Sequence, residues 1–183
     1  MTALPTASLG VVRDVMDKHG FGLLLIASED GLLRGFVTRG SLKSVTDWDA
    51  SVETVAHQAT FSVSPSDTLE KATLILLENR LFLLPVTTED GRLVGVLTQT
   101  DILRGLAEGL GIGLEGTRLT VTLREDSEDL YRVLDALREH GIQLVSFAGG
   151  RRTEARREAI LRVQGVEDRE SLRDALEARL RGK

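Results

Sequence analysis

Three polar residues stand where a predicted strand is followed by a predicted helix: Thr98, Thr100 and Asp101 come directly after the apolar run 93–97. The first amides of a helix lack partners within it, and together with the helix dipole they favour an anion such as phosphate. A carboxylate beside them repels phosphate but accepts hydrogen bonds from ribose hydroxyls. The spacing therefore indicates a nucleotide site. The alternative is that Thr98 or Thr100 only caps the first helical turn.

The elements that would position this trio are a predicted β-hairpin and the helix after it. The apolar strand around Leu83 to Val86 and the strand 93–97 are separated by Glu89-Asp90-Gly91. An Asp-Gly pair between two β-rich runs is a strong hairpin signal. A helix with apolar periodicity is predicted over 102–110.

The same arrangement occurs 60 residues earlier in the chain. Between positions 5 and 38, ten residues are identical to the residue 60 positions later, with no gap; they include the Glu-Asp-Gly turn, a Gly and a Thr. A fixed period of this length indicates two copies of one structural unit. The copies differ at the site, because Gly40-Ser41 stands where the second copy has Thr100-Asp101. Ser41 lacks the carboxylate that a ribose would use, so we expect the second copy to dominate any nucleotide site.

The repeat resembles a tandem CBS-domain pair over residues 1 to about 110. The family pattern is Gly, two apolar residues, Thr or Ser, two residues, then Asp; Gly95, Thr98 and Asp101 match it, whereas Gly35 and Thr38 match only its first half. The resemblance implies two strand–helix–strand–strand–helix units that bind an adenosyl compound, namely AMP, ADP, ATP or S-adenosylmethionine. It implies a ligand site formed by Ser62, Leu84, Pro85, Thr98, Thr100 and Asp101, with adenine between Ser62 and the Leu84-Pro85 edge, phosphate near Thr98 and Thr100, and ribose at Asp101.

The two copies are expected over 1–48 and 55–110, and the stretch that would match 57–60 is absent before copy one. Residues 46–57 bridge the copies, with Trp48 expected as a packing anchor. Helices are predicted over 9–18, 41–45 and 69–78. The helix 69–78 is apolar over most of its circumference, whereas a surface helix buries only one face. We therefore expect it to pack on a partner as well as on its own sheet, which favours a homodimer.

A Gly-rich stretch, 109–116, is predicted to be a linker, with the boundary segment at 111–116. It lacks the Gly-Lys-Ser/Thr ending of a phosphate loop and follows a helix instead of a strand. Beyond it, residues 117–183 show strands at 118–123, 142–147 and 159–163 and helices at 128–140 and 171–180, with a turn starting at Gly149-Gly150. The order βαββα predicts a ferredoxin-like sheet.

This second domain resembles an ACT domain, a family that often binds amino acids where two copies pair. Two features depart from the family. The loop after the first strand, 124–128, carries no Gly, and a final strand is not predicted. The fold class is therefore mixed α/β (α+β), with a tandem CBS pair followed by an ACT-like βαββα domain. An unpaired edge in that domain would offer a second dimer contact.

Composition limits the function. The net charge of −5 gives no general attraction to nucleic acid or anionic membranes, and residues 1–110 hold 9 Lys and Arg against 14 Asp and Glu. There is no Cys, aromatic residues are 4%, and no apolar run or leader indicates a membrane or an exported protein, so a cytoplasmic location is expected. The arginine-rich run 151–157 could bind anions or RNA, but Glu154 and Glu158 dilute it, and a solvated loop is the simpler interpretation.

No catalytic motif is present. The three His residues have no metal-ligand spacing, and two of them adjoin helix-ending glycines. We therefore predict a non-catalytic regulatory sensor that binds an adenosyl ligand, requires no cofactor or metal, forms a homodimer, and acts on an unidentified protein target. The combination is similar to small CBS/ACT regulatory proteins of the acetoin-utilisation type. The alternatives are an adaptor whose ligand site has decayed, or an amino-acid sensor acting through the ACT-like domain.

Overall fold

The computed structural model describes residues 1–125 and 127–181, so Asp126 in the loop 124–128 and the last two residues of the predicted domain 117–183 lie outside the described residues. The chain forms two compact units, Met1–Leu103 and Arg104–Lys183. In chain order the elements are β1 (Thr2–Ala3), α1 (Leu9–His19), β2 (Leu23–Ala27), β3 (Leu33–Thr38), α2 (Arg39–Leu42), a 3₁₀ turn (Val52–Val55), α3 (Leu69–Glu78), β4 (Leu83–Thr87), β5 (Leu93–Thr98), α4 (Gln99–Gly109), β6 (Thr117–Arg124), α5 (Asp129–Glu139), β7 (Gln143–Arg152), β8 (Arg156–Gln164) and α6 (Arg169–Arg181).

The 60-residue repeat governs the strand pairing of the first unit. β2 and β3 are antiparallel with Leu23 opposite Thr38, and β4 and β5 are antiparallel with Leu83 opposite Thr98, in the same register. β1 adds a parallel strand to β2 in the first repeat, whereas the second repeat has only a parallel bridge at Val63 in that place. The two repeats therefore share one local plan, as the sequence predicts.

The two Asp-Gly turns join the repeats through reciprocal hydrogen bonds. The amide of Leu33 donates to the Gly91 carbonyl at 3.0 Å, and the amide of Leu93 donates to the Gly31 carbonyl at 2.9 Å. Each bond becomes the other when the two repeats are exchanged. The repeats therefore face each other about a local two-fold axis at the turns.

Within each turn a hydroxyl side chain fixes the aspartate. Ser28 donates to Asp30 and Thr88 donates to Asp90, and these hydrogen bonds lower the pKa of both carboxyls. The turn aspartates are thus ionised in ordinary conditions and serve the turn geometry.

Each repeat has its own core. The first is built from α1, β2, β3 and the 3₁₀ turn; its buried members are Ala3, Leu9, Val12, Met16, Leu24, Ile26, Val37, Leu42 and Val52. The second is smaller, with Val63, Ala72, Leu76, Leu84 and Ile102. Side chains alternate across each strand, so the residues between these core positions face the other side of the hairpin.

Residues 48–58, which we name the bridging segment, complete the first repeat. The amide of Val52 donates to the Ala7 carbonyl at 2.8 Å, and the Trp48 carbonyl accepts from the first turn of α1. The Val52 side chain is completely buried. Trp48 packs against the same core, with the Arg13 guanidinium 4.5 Å from its ring centre, as a packing anchor would. The segment is therefore part of the first repeat's core.

The second unit is a three-stranded antiparallel sheet in the order β6-β8-β7, with α5 and α6 packed on one face. The predicted order βαββα is observed. Gly149-Gly150 was predicted to start a turn, and that prediction is wrong. β7 continues to Arg152 with a register shift between Gly149 and Arg152. A Cβ on Gly150 would lie 2.8 Å from the Glu158 Cβ, so this glycine permits close strand pairing instead of a reversal.

The predicted linker lies on the sheet of the second unit. The carbonyls of Leu110 and Leu114 accept hydrogen bonds from Ser146 and Arg162, at 2.8 and 2.6 Å. Gly111 is buried there in a left-handed conformation (φ 66°), with its hydrogen facing the Arg162 stem. The boundary between the units falls earlier, after Leu103, within α4.

Candidate functional site

A cavity of about 310 Å³ opens between the two repeats of the first unit. Each repeat contributes side chains that alternate with its core residues. Its lining comprises Leu23, Leu25, Phe36 and Thr38 of the first repeat, residues 58–61 of the bridging segment and the stretch after it, and Arg80, Leu81, Phe82, Leu83 and Pro85 of the second. The volume lies within the range of small-molecule sites, and the walls are mainly apolar with a few polar groups, as such sites usually are.

The polar end of this cavity is the first repeat's strand-to-helix junction. Thr38 Oγ1 accepts from the Ser41 amide at 3.1 Å, and the Ser41 hydroxyl bonds back to the Thr38 amide and hydroxyl, which forms a capping box at α2. Ser41 Oγ also lies 2.8 Å from His57 Nε2. The Phe36 ring, which lines the cavity, lies 5.4 Å from the His57 ring, centre to centre. A hydroxyl and an imidazole therefore stand where the second repeat has a carboxylate.

The second repeat has the same junction with Asp101 in place of Ser41. The Thr98 amide and hydroxyl both donate to Asp101 Oδ2, at 2.9 and 2.6 Å, and the Asp101 amide donates to Thr98 Oγ1 at 3.2 Å. This is again a capping box, so the capping interpretation describes the geometry present. A ligand at this position would share or replace the bond from the Thr98 hydroxyl to Asp101.

The structure divides the sequence-predicted site residues among four places. Thr98 and Asp101 are bonded to each other, and Thr100 is exposed beside them. Pro85 lines the cavity with Thr38, and neither Thr98 nor Asp101 does.

The other two predicted residues, Ser62 and Leu84, differ in exposure. Ser62 is exposed and its hydroxyl accepts from Thr87 at 3.2 Å. Leu84 is fully buried in the core of the second repeat, on the opposite face of the strand from Pro85. Leu84 can therefore meet a ligand only through its backbone.

Arg80 is the one charged residue among those lining the cavity, and sequence reasoning missed it. It adopts a left-handed conformation with φ 52°, at the end of α3. The equivalent position in the first repeat is Gly20, at φ 68°, which closes α1. A non-glycine residue adopts this left-handed conformation at a cost of about 1 kcal/mol, whereas glycine adopts it without that strain. The repeat alignment contained the signal, because it places an arginine on a helix-ending glycine.

In the second unit a buried carboxylate holds the loop after β6. Asp129 accepts from the Arg124 guanidinium at 2.6 and 2.9 Å and from the Arg124 amide at 3.0 Å. The Arg124 side chain, by hydrogen bonding, holds the pKa of Asp129 well below its usual range. The pair joins the end of β6 to the start of α5, on either side of the loop that departs from the ACT pattern by its lack of Gly.

The arginine-rich run 151–157 was expected as a solvated loop, but its four arginines lie at the end of β7 and the start of β8, and only residues 153–155 form the turn between them. The Arg152 guanidinium lies 2.7 Å from a Glu125 carboxylate oxygen, and Thr153 closes the turn on the Arg156 carbonyl. The run is thus partly paired within the unit.

Among residues 1–125 and 127–181, no group of three or more His, Asp or Glu side chains could hold a metal ion. No described helix combines the length and the apolar character needed to cross a bilayer.

Comparison with known proteins addresses the first unit. Residues 52–108 match the model of the CBS domain family. A CBS domain pair/ACT domain protein from Thermotoga maritima superposes with a TM-score of 0.55 at 28% identity, over 60% of this chain and 89% of that one. The chain spans about a fifth of the length of the curated relatives that it matches, such as inosine-5'-monophosphate dehydrogenase of Methanocaldococcus jannaschii, which is 28% identical over 105 residues, 57% of this chain and 21% of that protein.

Two more distant structures share the fold. CBSX2 in complex with AMP has a TM-score of 0.55 at 22% identity, over 59% of this chain and 87% of that one. An acetoin utilization protein from Vibrio cholerae, described as putative, has a TM-score of 0.53 at 22% identity, over 61% and 85%. The prediction of a CBS domain pair is confirmed, and the first unit has that fold. The ACT-like assignment of the second unit stays a prediction.

Proposed function

We propose that the first unit is a regulatory module that binds an adenosyl compound between its repeats. The observation that carries this proposal is the cavity of about 310 Å³, which joins apolar walls from both repeats to the Thr38–Ser41 junction. The complex of CBSX2 with AMP supports the ligand class. AMP, ADP, ATP and S-adenosylmethionine are the candidates.

Within the cavity the apolar walls suit a flat purine, and the polar end suits a ribose. Leu25, Phe36 and Pro85 form the walls, and Thr38 lies at the polar end. The Arg80 guanidinium supplies the positive charge that a phosphate needs. Because ordering Arg80 costs backbone strain, a ligand contact would account for its presence at this position.

The set predicted from the sequence remains part of the proposal as a second, related position: Ser62, Leu84, Pro85, Thr98, Thr100 and Asp101. There Asp101 would accept from ribose hydroxyls, and Thr98 and Thr100 would approach a phosphate. The carboxylate favours this position, whereas the enclosing walls favour the cavity at Thr38. A ligand could use either position, and variants of each distinguish them.

The test is a melting-temperature panel on the full chain with AMP, ADP, ATP and S-adenosylmethionine, with inorganic phosphate as the control. A ligand at 100 times its dissociation constant should add about 2.7 kcal/mol to the free energy of unfolding. Ala59→Phe, which fills the cavity, should remove the shift, while Val94→Phe on the exposed face of β5 should keep it. If no adenosyl compound moves the melting temperature, adenosyl binding is rejected, and the adaptor and the amino-acid sensor are the functions left.

We also propose that the chain is a homodimer in which α3 forms a contact. Leu77 is 69% exposed and Leu74 is 55% exposed on that helix, and monomers rarely leave contiguous apolar patches open. Light scattering at micromolar concentration should give twice the chain mass, and Leu77→Lys should give the monomer mass. A wild-type chain that stays monomeric would reject the dimer.

Amino-acid sensing by the second unit stays the alternative function, which the same thermal panel tests with amino acids added.

A further inference from the structure

A second cavity, of about 370 Å³, lies in the second unit and takes no part in the function proposed above. Its lining residues Ile160 and Arg162 alternate along β8 with the core residues Leu161 and Val163, which places the cavity on the sheet face opposite the core, although Leu161 also borders it. Residues 110–114 cross that face and form one wall. The cavity is therefore enclosed by the sheet and by a strap of the same unit.

Two arginines stand side by side at this cavity. Arg118 of β6 is directly opposite Arg162 of β8, and both line it. Like charges directly opposite on neighbouring strands destabilise a sheet. The Arg118–Arg162 pair is therefore an unfavourable cross-strand contact at a cavity. Unfavourable contacts of this kind concentrate at functional sites.

Neither arginine is neutralised by an acidic group within the described part of the chain. Arg118 donates to the Thr120 hydroxyl at 2.9 Å, and Arg162 donates to the Leu114 carbonyl at 2.6 Å. Both acceptors are neutral, and each guanidinium has five N–H donors. Most of the donor capacity and all of the positive charge therefore remain available to an anion.

Apart from Ser146, whose hydroxyl donates to the Leu110 carbonyl, the rest of the cavity lining is apolar. One row across the sheet holds Ile160 and Ala148, and the strap adds Leu110 and Ile112 above it. No Asp or Glu lines the cavity to pair with an ammonium group. The site thus joins a strongly cationic end to an apolar end and offers no carboxylate for an amine.

We propose that this cavity binds a small carboxylate with an apolar tail and without an amino group. The carboxylate lies between the Arg118 and Arg162 guanidiniums, and the tail lies between Ile160 and the strap residues Leu110 and Ile112. Binding replaces like-charge repulsion with charge-assisted hydrogen bonds. The ligand also contacts the strap, so its occupancy stabilises the packing of residues 110–114 on the sheet.

The experiment is isothermal titration of the full chain with hexanoate, and with hexanol, leucine and inorganic phosphate as comparison probes. Hexanoate should bind saturably, and within the series acetate, butyrate, hexanoate each added methylene should tighten binding about fourfold. Hexanol, leucine and phosphate should each bind at least about tenfold more weakly than hexanoate. Saturable binding of any of the three as tight as hexanoate overturns the proposal, as does the absence of saturable hexanoate binding.

Matched arginine variants locate the site. Arg118→Gln should weaken hexanoate binding about tenfold or more, since it removes one charged donor group and leaves the strap bond from Arg162 in place. Arg151→Gln, an exposed arginine on β7 that does not line the cavity, should leave the affinity unchanged. Circular dichroism on both variants confirms that they fold. Equal affinity in Arg118→Gln and the wild-type chain contradicts the assignment, whatever the outcome of the adenosyl panel.

Discussion

In the first repeat the bridging segment covers both the core and the outer edge of β3, whereas no described strand covers the corresponding edge of β5 in the second repeat. The His57 backbone pairs reciprocally with Phe36, at 2.8 and 2.9 Å. The equivalent of Phe36 is Val96, which is 49% exposed. The core of the second repeat is correspondingly smaller, and Leu97 is only half-buried where Val37 is fully buried.

The difference separates two requirements of a ligand site. Residues 58–61 line the cavity together with Phe36 and Thr38, so the cavity borders the strand-to-helix junction of the first repeat, and the second repeat supplies the opposite wall. The second repeat has Asp101, the carboxylate that recognises a ribose. A local motif therefore does not make a site by itself, since the walls come from a segment that is distant in sequence from the motif it serves.

The largest expected effect comes from the residue that seals the first repeat. Val52→Asp places a carboxylate in a fully buried position without a partner and should lower the free energy of unfolding by at least about 4 kcal/mol. Val94→Asp, on the exposed face of β5, should change it by about 0.5 kcal/mol or less. Urea denaturation of both variants measures the contrast. Equal losses would mean that the bridging segment does not stabilise the first repeat.

A matched glycine pair tests the same difference at the strand edge. Gly35 has φ 152°, and a Cβ there would lie 2.3 Å from the His57 carbonyl oxygen, so Gly35→Ala should cost about 3 kcal/mol. At Gly95 the nearest atom to an added Cβ is in Val86 at 3.9 Å, so Gly95→Ala should be neutral or stabilise by about 0.5 kcal/mol. Thermal denaturation measures the stability of both variants. Similar costs in both variants would show that the edge of β5 is covered as well.

Exchange of the junction residues tests which position binds the ligand. Ser41→Asp adds a carboxylate at the enclosed cavity and should tighten adenosyl binding about tenfold, since hydrogen bonds to charged groups are among the strongest. Asp101→Asn should weaken binding by a similar factor only if the second position is occupied. Titration calorimetry measures the affinity of both variants for the adenosyl compound that gives the largest shift in the thermal panel. If Ser41→Asp has no effect and Asp101→Asn abolishes binding, the ligand occupies the second repeat's position alone.

The smallest expected change in stability is at Arg80. Arg80→Gly relieves about 1 kcal/mol of left-handed strain, and the greater freedom of glycine in the unfolded chain offsets it by about 0.5–1 kcal/mol. The free energy of unfolding should therefore stay nearly constant, while binding of AMP or ADP weakens about tenfold through loss of the cation. Arg92→Gly, at an exposed turn outside the cavity, is the control. If Arg80→Gly binds nucleotide as tightly as the wild-type chain, ligand binding does not explain the left-handed conformation of Arg80.

Much of the fold was predictable because it depends on local interactions. The helix over Leu69–Glu78 was predicted with its observed bounds, and the βαββα order of the second unit was predicted as well. Periodicity, caps and Asp-Gly turns are short-range signals, and a 60-residue repeat doubles each of them. Thr98 and Asp101 were also identified together, since they are three residues apart at one helix start.

The sequence by itself determined the repeat, the hairpins and the capped helix starts, because their hydrogen bonds join neighbours in the chain. Only the tertiary structure decided which strand-to-helix junction borders the cavity, since that depends on where residues 58–61 pack. The same holds for Gly149-Gly150, which permits strand pairing against Glu158 instead of a turn, and for the strap over Arg118 and Arg162. In the strap the deciding contact joins Arg162 to Leu114, and at Gly150 it crosses the β7–β8 hairpin to Glu158, so a pattern of adjacent residues carries no record of either contact.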